Sequence, residues 1–141
     1  MTKIRPTISQ KKEYYITKHE FYVAYHFALQ YSEWKAERNS LINLGNTAES
    51  EIHANSISNP TERKGIKVSE LTAKIQMVED SAAEADPVLA KWILDGAIHE
   101  GWSYNYLRLK LNMPCGKNLY YQTRRKFYYI LSQKLTEKYG K

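Results

Sequence analysis

The sequence predicts an all-α protein: an N-terminal hairpin of long helices followed by a C-terminal helix-turn-helix. Three observations carry that expectation. Apolar residues recur at three- and four-residue steps through most of the chain, the period of a helix with one buried face. Residues that cap helices stand before these stretches, and Gly or Pro stands after them. Strand signals are weak: Tyr14-Tyr15-Ile16 and Phe127-Tyr128-Tyr129-Ile130 are β-prone in composition, but the second falls inside a helical period.

The first ten residues have no period and are expected to form a loose arm. Thr17 and Glu20 then stand at the spacing of a capping box, in which the hydroxyl and the carboxylate satisfy each other's backbone amides. From there Phe21, Ala24, Tyr25, Ala28, Tyr31, Trp34, Leu41 and Ile42 define one helix ending near Gly45-Asn46. At about 25 residues such a helix exceeds what one small core buries, so part of its stripe is expected to face a partner chain. Residues 46–66 read as a polar loop. Ser69 is expected to cap a second helix bearing Leu71, Ile75, Val78, Ala82 and Ala85, which would pair with the first as a hairpin.

Asp86-Pro87 signals the next helix start, since the carboxylate can accept from free amides and proline needs no N–H partner in the first turn. Leu89, Trp92, Ile93 and Ala97 mark its inward face, and Gly101 its end. Ser103 caps a short fourth helix carrying Leu107 and Leu111, which stops at Asn112-Met113-Pro114. A fifth helix is expected from about Lys117 to Lys138, with Leu119, Thr123, Phe127, Ile130 and Leu135 near one face. These readings divide the chain into a helical hairpin over 1–85, for oligomerisation or partner contact, and a DNA-binding helix-turn-helix over 86–141.

Charge separates the same two regions. Residues 1–100 hold twelve Lys/Arg and fourteen Asp/Glu, whereas residues 101–141 hold nine Lys/Arg and the single acid Glu137. So local an imbalance is the electrostatic footprint expected of phosphate contacts. With Leu119 turned inward, a rotation of 100° per residue sends Lys117, Tyr120, Tyr121, Arg124 and Tyr128 outward, with Arg125 on the flank. Arginine offers a planar fork for guanine edges and phosphates, and tyrosine adds hydroxyl or apolar contacts. Ser103, Tyr104 and Asn105, at the start of the preceding short helix, are expected to meet a phosphate. The expected partner is double-stranded DNA, read in the major groove by the last helix.

Other chemistries find less support. Cys115 is the only cysteine, which excludes an intrachain disulfide and a cysteine-rich zinc site. His19 and His26 lack a third ligand at suitable spacing, and His99-Glu100 lacks the second histidine of a zinc-protease motif. Glu79-Asp80 and Glu84-Asp86 read as a helix's polar face and the next cap. The glycines 65, 96, 101 and 116 are isolated, so no phosphate-binding glycine loop forms, and no nucleophile stands with a base. No enzyme activity, metal or cofactor is therefore expected. No run of eighteen apolar residues occurs and Met1 to Pro6 lack the apolar stretch of a secretory signal, so a cytoplasmic protein without a membrane span is expected.

Four stretches together resemble a known family: Lys91-Trp92-Ile93-Leu94, Tyr104-Asn105-Tyr106-Leu107, Met113-Pro114-Cys115-Gly116-Lys117 and Tyr121-Gln122-Thr123-Arg124-Arg125-Lys126-Phe127-Tyr128. They resemble the carboxy-terminal half of small phage transcription regulators of the RinA/ArpU type, over roughly residues 86–136. That resemblance implies a helix-turn-helix like region 4 of sigma factors, a role in transcription of late phage operons, RNA polymerase as a further partner, and a bacterial host cell. One departure stands out: Met113-Pro114-Cys115-Gly116 occupies the turn where Ser or Thr commonly caps the recognition helix. The alternative expectations are a DNA-packaging adaptor like a small terminase subunit, and a protein-binding inhibitor whose basic face docks on an acidic surface. The regulator and the adaptor both imply a homo-oligomer, a dimer in the first case and a ring in the second.

Overall fold

The computed structural model describes residues 14–47 and 60–140, and every regular element among them is a helix, with no strand. Six helices follow one another: α1 Lys18–Leu29, α2 Tyr31–Thr47, α3 Pro60–Ala85, α4 Ala90–Ile98, α5 Tyr104–Lys110 and α6 Lys117–Tyr139. The expected arm of residues 1–10 and the middle of the expected 46–66 loop lie outside the described residues.

α1 begins as its sequence dictates. The Thr17 hydroxyl accepts from the Glu20 amide at 3.1 Å and the Glu20 carboxylate accepts from the Thr17 amide at 2.9 Å, a complete capping box. The single long helix expected from here is, however, interrupted at Gln30, whose amide bonds back to the Phe27 carbonyl and whose side chain donates to the His26 carbonyl. The break falls where the apolar stripe changes partner. Phe21 and Tyr25 pack toward α6, their rings 5.0 and 6.5 Å from that of Tyr128, whereas Tyr31, Trp34 and Arg38 reach α3. A helix that buries against two different neighbours bends between them.

The hairpin therefore forms between α2 and α3. It is antiparallel: Tyr31 donates to Glu79, and Arg38 donates to the Thr72 hydroxyl one helical stretch further along. α3 starts at Pro60, nine residues before the expected cap at Ser69, because proline's fixed φ and missing N–H suit a helix's first position. The stripe expected to face a partner chain is covered by this chain's own α3, α4 and α6 as far as Trp34, while Leu41 is half-buried and Ile42 exposed.

α6 runs through the centre. Phe127, Tyr128, Leu131 and Leu135 are buried, and α6 packs against both α1 and α3. Lys134 ties α6 to α3 through a 2.8 Å ion pair with Glu84. Buried residues from Ile16 to Leu135 form one cluster, so the boundary expected at 85/86 is a turn within a shared core. That turn is held by Asp86, whose carboxylate accepts from the amides of Val88 and Leu89 at 2.8 and 3.1 Å. α4 proper thus begins at Ala90, a turn later than the Asp-Pro signal suggests.

Candidate nucleic-acid interface

The last three helices are assembled around small distances that the local sequence sets. Gly101 has φ 94°, a conformation costly for any residue with a Cβ, and turns the chain out of α4. Ser103 then caps α5 as expected, its hydroxyl accepting from the Tyr106 amide at 3.2 Å. Asn112, at φ 58°, ends α5, and asparagine tolerates this left-handed region better than most residues. Gly116 begins α6 without any side-chain cap, in keeping with the absence of Ser or Thr there.

The turn between α5 and α6 is clamped by side chains on alternate carbonyls. Trp92 of α4 donates its indole N–H to the Leu111 carbonyl at 2.8 Å. From α5, Arg108 reaches the Met113 carbonyl at 3.4 Å, and the Tyr104 hydroxyl reaches the Cys115 carbonyl at 3.2 Å. Met113 itself is fully buried, and its amide bonds to the Leu107 carbonyl. Three donors and a buried anchor hold the direction in which α6 leaves the turn. Sequence reasoning missed these roles for Trp92, Arg108 and Met113, because each is a contact between elements.

Gly96 is the second contact that sequence alone does not show. A Cβ there would lie 2.9 Å from the Tyr120 hydroxyl oxygen and 3.3 Å from Leu107 Cδ1, so α4, α5 and α6 meet where glycine leaves room. Tyr120 is consequently part of the core and not of the surface. The outward placement expected for Tyr120 and Tyr128 is corrected on this point: they are 3% and 2% exposed, while Leu119, expected inward, is 47% exposed. Rotating the helix by about one residue exchanges the two assignments. The inward face is Tyr120, Thr123, Phe127, Tyr128, Leu131 and Leu135.

The other expected contacts fall into two groups. Lys117 and Asn105 are exposed, and Tyr121, Arg124 and Arg125 are half-buried along one side of α6. The Arg124 guanidinium lies 4.7 Å from the Tyr121 ring centroid and 5.9 Å from that of Tyr120, so the cation rests on aromatic faces. Lys126 similarly stands 5.9 Å over Tyr14, whose ring is 5.4 Å from that of Tyr129. By contrast, Ser103 and Tyr104 commit their oxygens to the cap and to the turn, and α5 is only seven residues long. The phosphate site expected at its start thus has one hydroxyl clamping the turn and one amide already bonded.

Burial sets the titration of the aromatic hydroxyls. It pushes Tyr120 and Tyr128 above the ordinary phenol range, with the positive charge of Arg124 acting in the opposite direction on both. Burial also raises the Cys115 thiol, which leaves it protonated and weakly nucleophilic at neutral pH. Among the described residues, no three His, Cys, Asp or Glu side chains come together as a metal site requires. No helix among them is long and apolar enough to cross a membrane.

Compared with protein-family models, with curated proteins and with solved structures, the chain matches none.

Proposed function

We propose that this chain is a sequence-specific DNA-binding regulator of transcription, in which α4, α5 and α6 act as a helix-turn-helix and the first half of α6 enters the major groove. One observation carries the reading: exposed Lys117 and half-buried Tyr121, Arg124 and Arg125 share one side of a helix whose departure from its turn is clamped by Trp92, Arg108 and Tyr104. Readout of base edges needs such a rigid presentation, because a misplaced guanidinium loses its paired hydrogen bonds. The excess of nine Lys/Arg over one acid in residues 101–141 supplies the sequence-independent attraction to phosphates. The resemblance to phage late-operon regulators supports transcription as the process, and RNA polymerase as a second partner.

The test is a salt titration of binding to random and phage-derived duplexes by fluorescence anisotropy. The expected result is a preferred sequence whose affinity falls linearly with the logarithm of salt, each neutralised phosphate contributing about −0.9 to the slope. No binding at low salt would remove DNA as the partner and leave the cations of α6 to a protein surface.

A further inference from the structure

Beside the proposed DNA-facing surface lies a cavity of about 180 Å³. One wall is a single face of α6, with Tyr121, Arg124, Arg125 and Tyr128 at positions i, i+3, i+4 and i+7. The opposite wall is Tyr14 and Ile16 from the segment entering α1, together with Phe21. Four aromatic rings and two guanidinium-bearing side chains therefore surround one space. A cavity of about 150 Å³ suffices for a benzene ring, so the space admits one six-membered ring and a short substituent.

One of the lining residues, Tyr128, is almost fully buried. The Tyr128 hydroxyl is buried and has no hydrogen-bond partner. Buried hydroxyls in folded proteins nearly always have one. The Tyr128 hydroxyl has no surface open to the cavity, so the cationic groups that line the space are the guanidinium groups of Arg124 and Arg125.

We propose that the cavity binds a free, single-ring aromatic anion, its ring against Tyr14, Phe21 and Tyr121 and its carboxylate or phosphate on Arg124 and Arg125. Guanidinium groups suit either anion, since their planar forks pair with both geometries. A ligand seated there occupies two of the arginines assigned to DNA and lowers DNA affinity; this consequence alone rests on the function proposed above.

Calorimetric titration of the full chain with phenyl phosphate and with benzoate tests the site, with inorganic phosphate and phenol as controls. One or both aromatic anions should saturate a single site at least tenfold more tightly than either control, and the better of the two identifies the anion class. Arg125→Gln should weaken that binding at least tenfold. Arg124→Gln should weaken it several-fold as well. The proposal is overturned if neither aromatic anion saturates at millimolar concentration, if inorganic phosphate binds equally well, or if folded Arg125→Gln and Arg124→Gln proteins bind as the unaltered chain does. None of these readings requires DNA, so a failed DNA experiment leaves them intact. Adding the bound anion to the anisotropy assay then checks the competition, and unchanged DNA affinity at saturation would refute it.

Discussion

α3 and α6 are the two long helices of the molecule, 26 and 23 residues, and they pack against each other, yet their surfaces are used in opposite ways. α3 carries four Lys/Arg against five acids, and α6 carries six Lys/Arg against Glu137 alone. On α3 several charges pair with neighbouring helices: Glu79 accepts from Tyr31, Lys67 pairs with Glu37 at the surface, Lys74 lies over Trp34 and Glu84 holds Lys134. On the first half of α6 Arg124 and Lys126 instead rest on tyrosine faces, half-buried, and Lys117 is exposed. A buried stripe is enough to place a helix in a core. What a helix offers to a partner is decided by the residues that the core does not consume.

The two halves of α6 should separate accordingly under mutation. Phe127→Ala, at a fully buried position of α6, should cost about 3–5 kcal/mol in the free energy of urea unfolding, through lost transfer energy and a residual cavity. A much smaller loss would mean that the central placement of α6 is wrong. Arg124→Ala and Arg125→Ala should each weaken sequence-specific DNA binding by about 1–3 kcal/mol if they reach bases. Lys67→Ala, on the exposed flank of α3, should leave that binding unaltered; equal losses from α3 and α6 would dissolve the distinction between the helices.

Gly96→Ala sharpens the comparison at the other end of α6. The added methyl meets the Tyr120 hydroxyl at 2.9 Å and Leu107 at 3.3 Å, so overpacking should lower stability by about 1–3 kcal/mol and reduce the melting temperature. An unchanged melting temperature would show that α4 and α6 are less closely joined than described. Alkaline pH supplies a test in which α3 takes no part, since it has no tyrosine, while Tyr25 of α1 and Tyr31 of α2, also raised by burial, act in the same direction as the tyrosines of α6. Tyr120 and Tyr128 resist ionisation in the folded state because they are buried, so the unfolded chain loses those protons first. Their contribution is complete below the unfolded phenol pKa of about 10 and falls by roughly 1.4 kcal/mol per pH unit for each such tyrosine as pH rises beyond it. Urea midpoints measured between pH 9 and 11 should decline, and Tyr120→Phe or Tyr128→Phe should flatten the decline. Leu119→Lys should be the mildest change, within about 0.5 kcal/mol, since the side chain is 47% exposed. A loss comparable to that of Phe127→Ala would restore Leu119 to the inward face.

Much of the helical framework was readable from residue order, and the reasons are local. The Thr17–Glu20 capping box, the Ser103 cap, the turn at Gly101 and the uncapped start at Gly116 all involve residues within three positions of one another or a single backbone conformation. The break at Gln30 was not readable, because nothing in the sequence says that α1 and α2 serve different neighbours. Nor was the early start of α3, where the polar run before Ser69 resembles a loop although Pro60 can open a helix.

The candidate interface divides along the same line. Residue order alone determined that a basic helix follows a short helix and a tight turn, and that Lys117, Arg124 and Arg125 lie on it, because charge and period are properties of the chain. Which side of that helix faces outward depended on tertiary contacts: Leu119, Tyr120 and Tyr121 stand side by side in the first turns of α6, so periodicity admitted Leu119 or Tyr120 as the inward residue. Gly96 leaves room for the Tyr120 ring and none is reserved for Leu119, and α1 covers Tyr128. The physical reason is general to amphipathic helices: a wide apolar arc fixes that a helix is buried, and only the shape of its neighbours fixes the rotation at which it is buried.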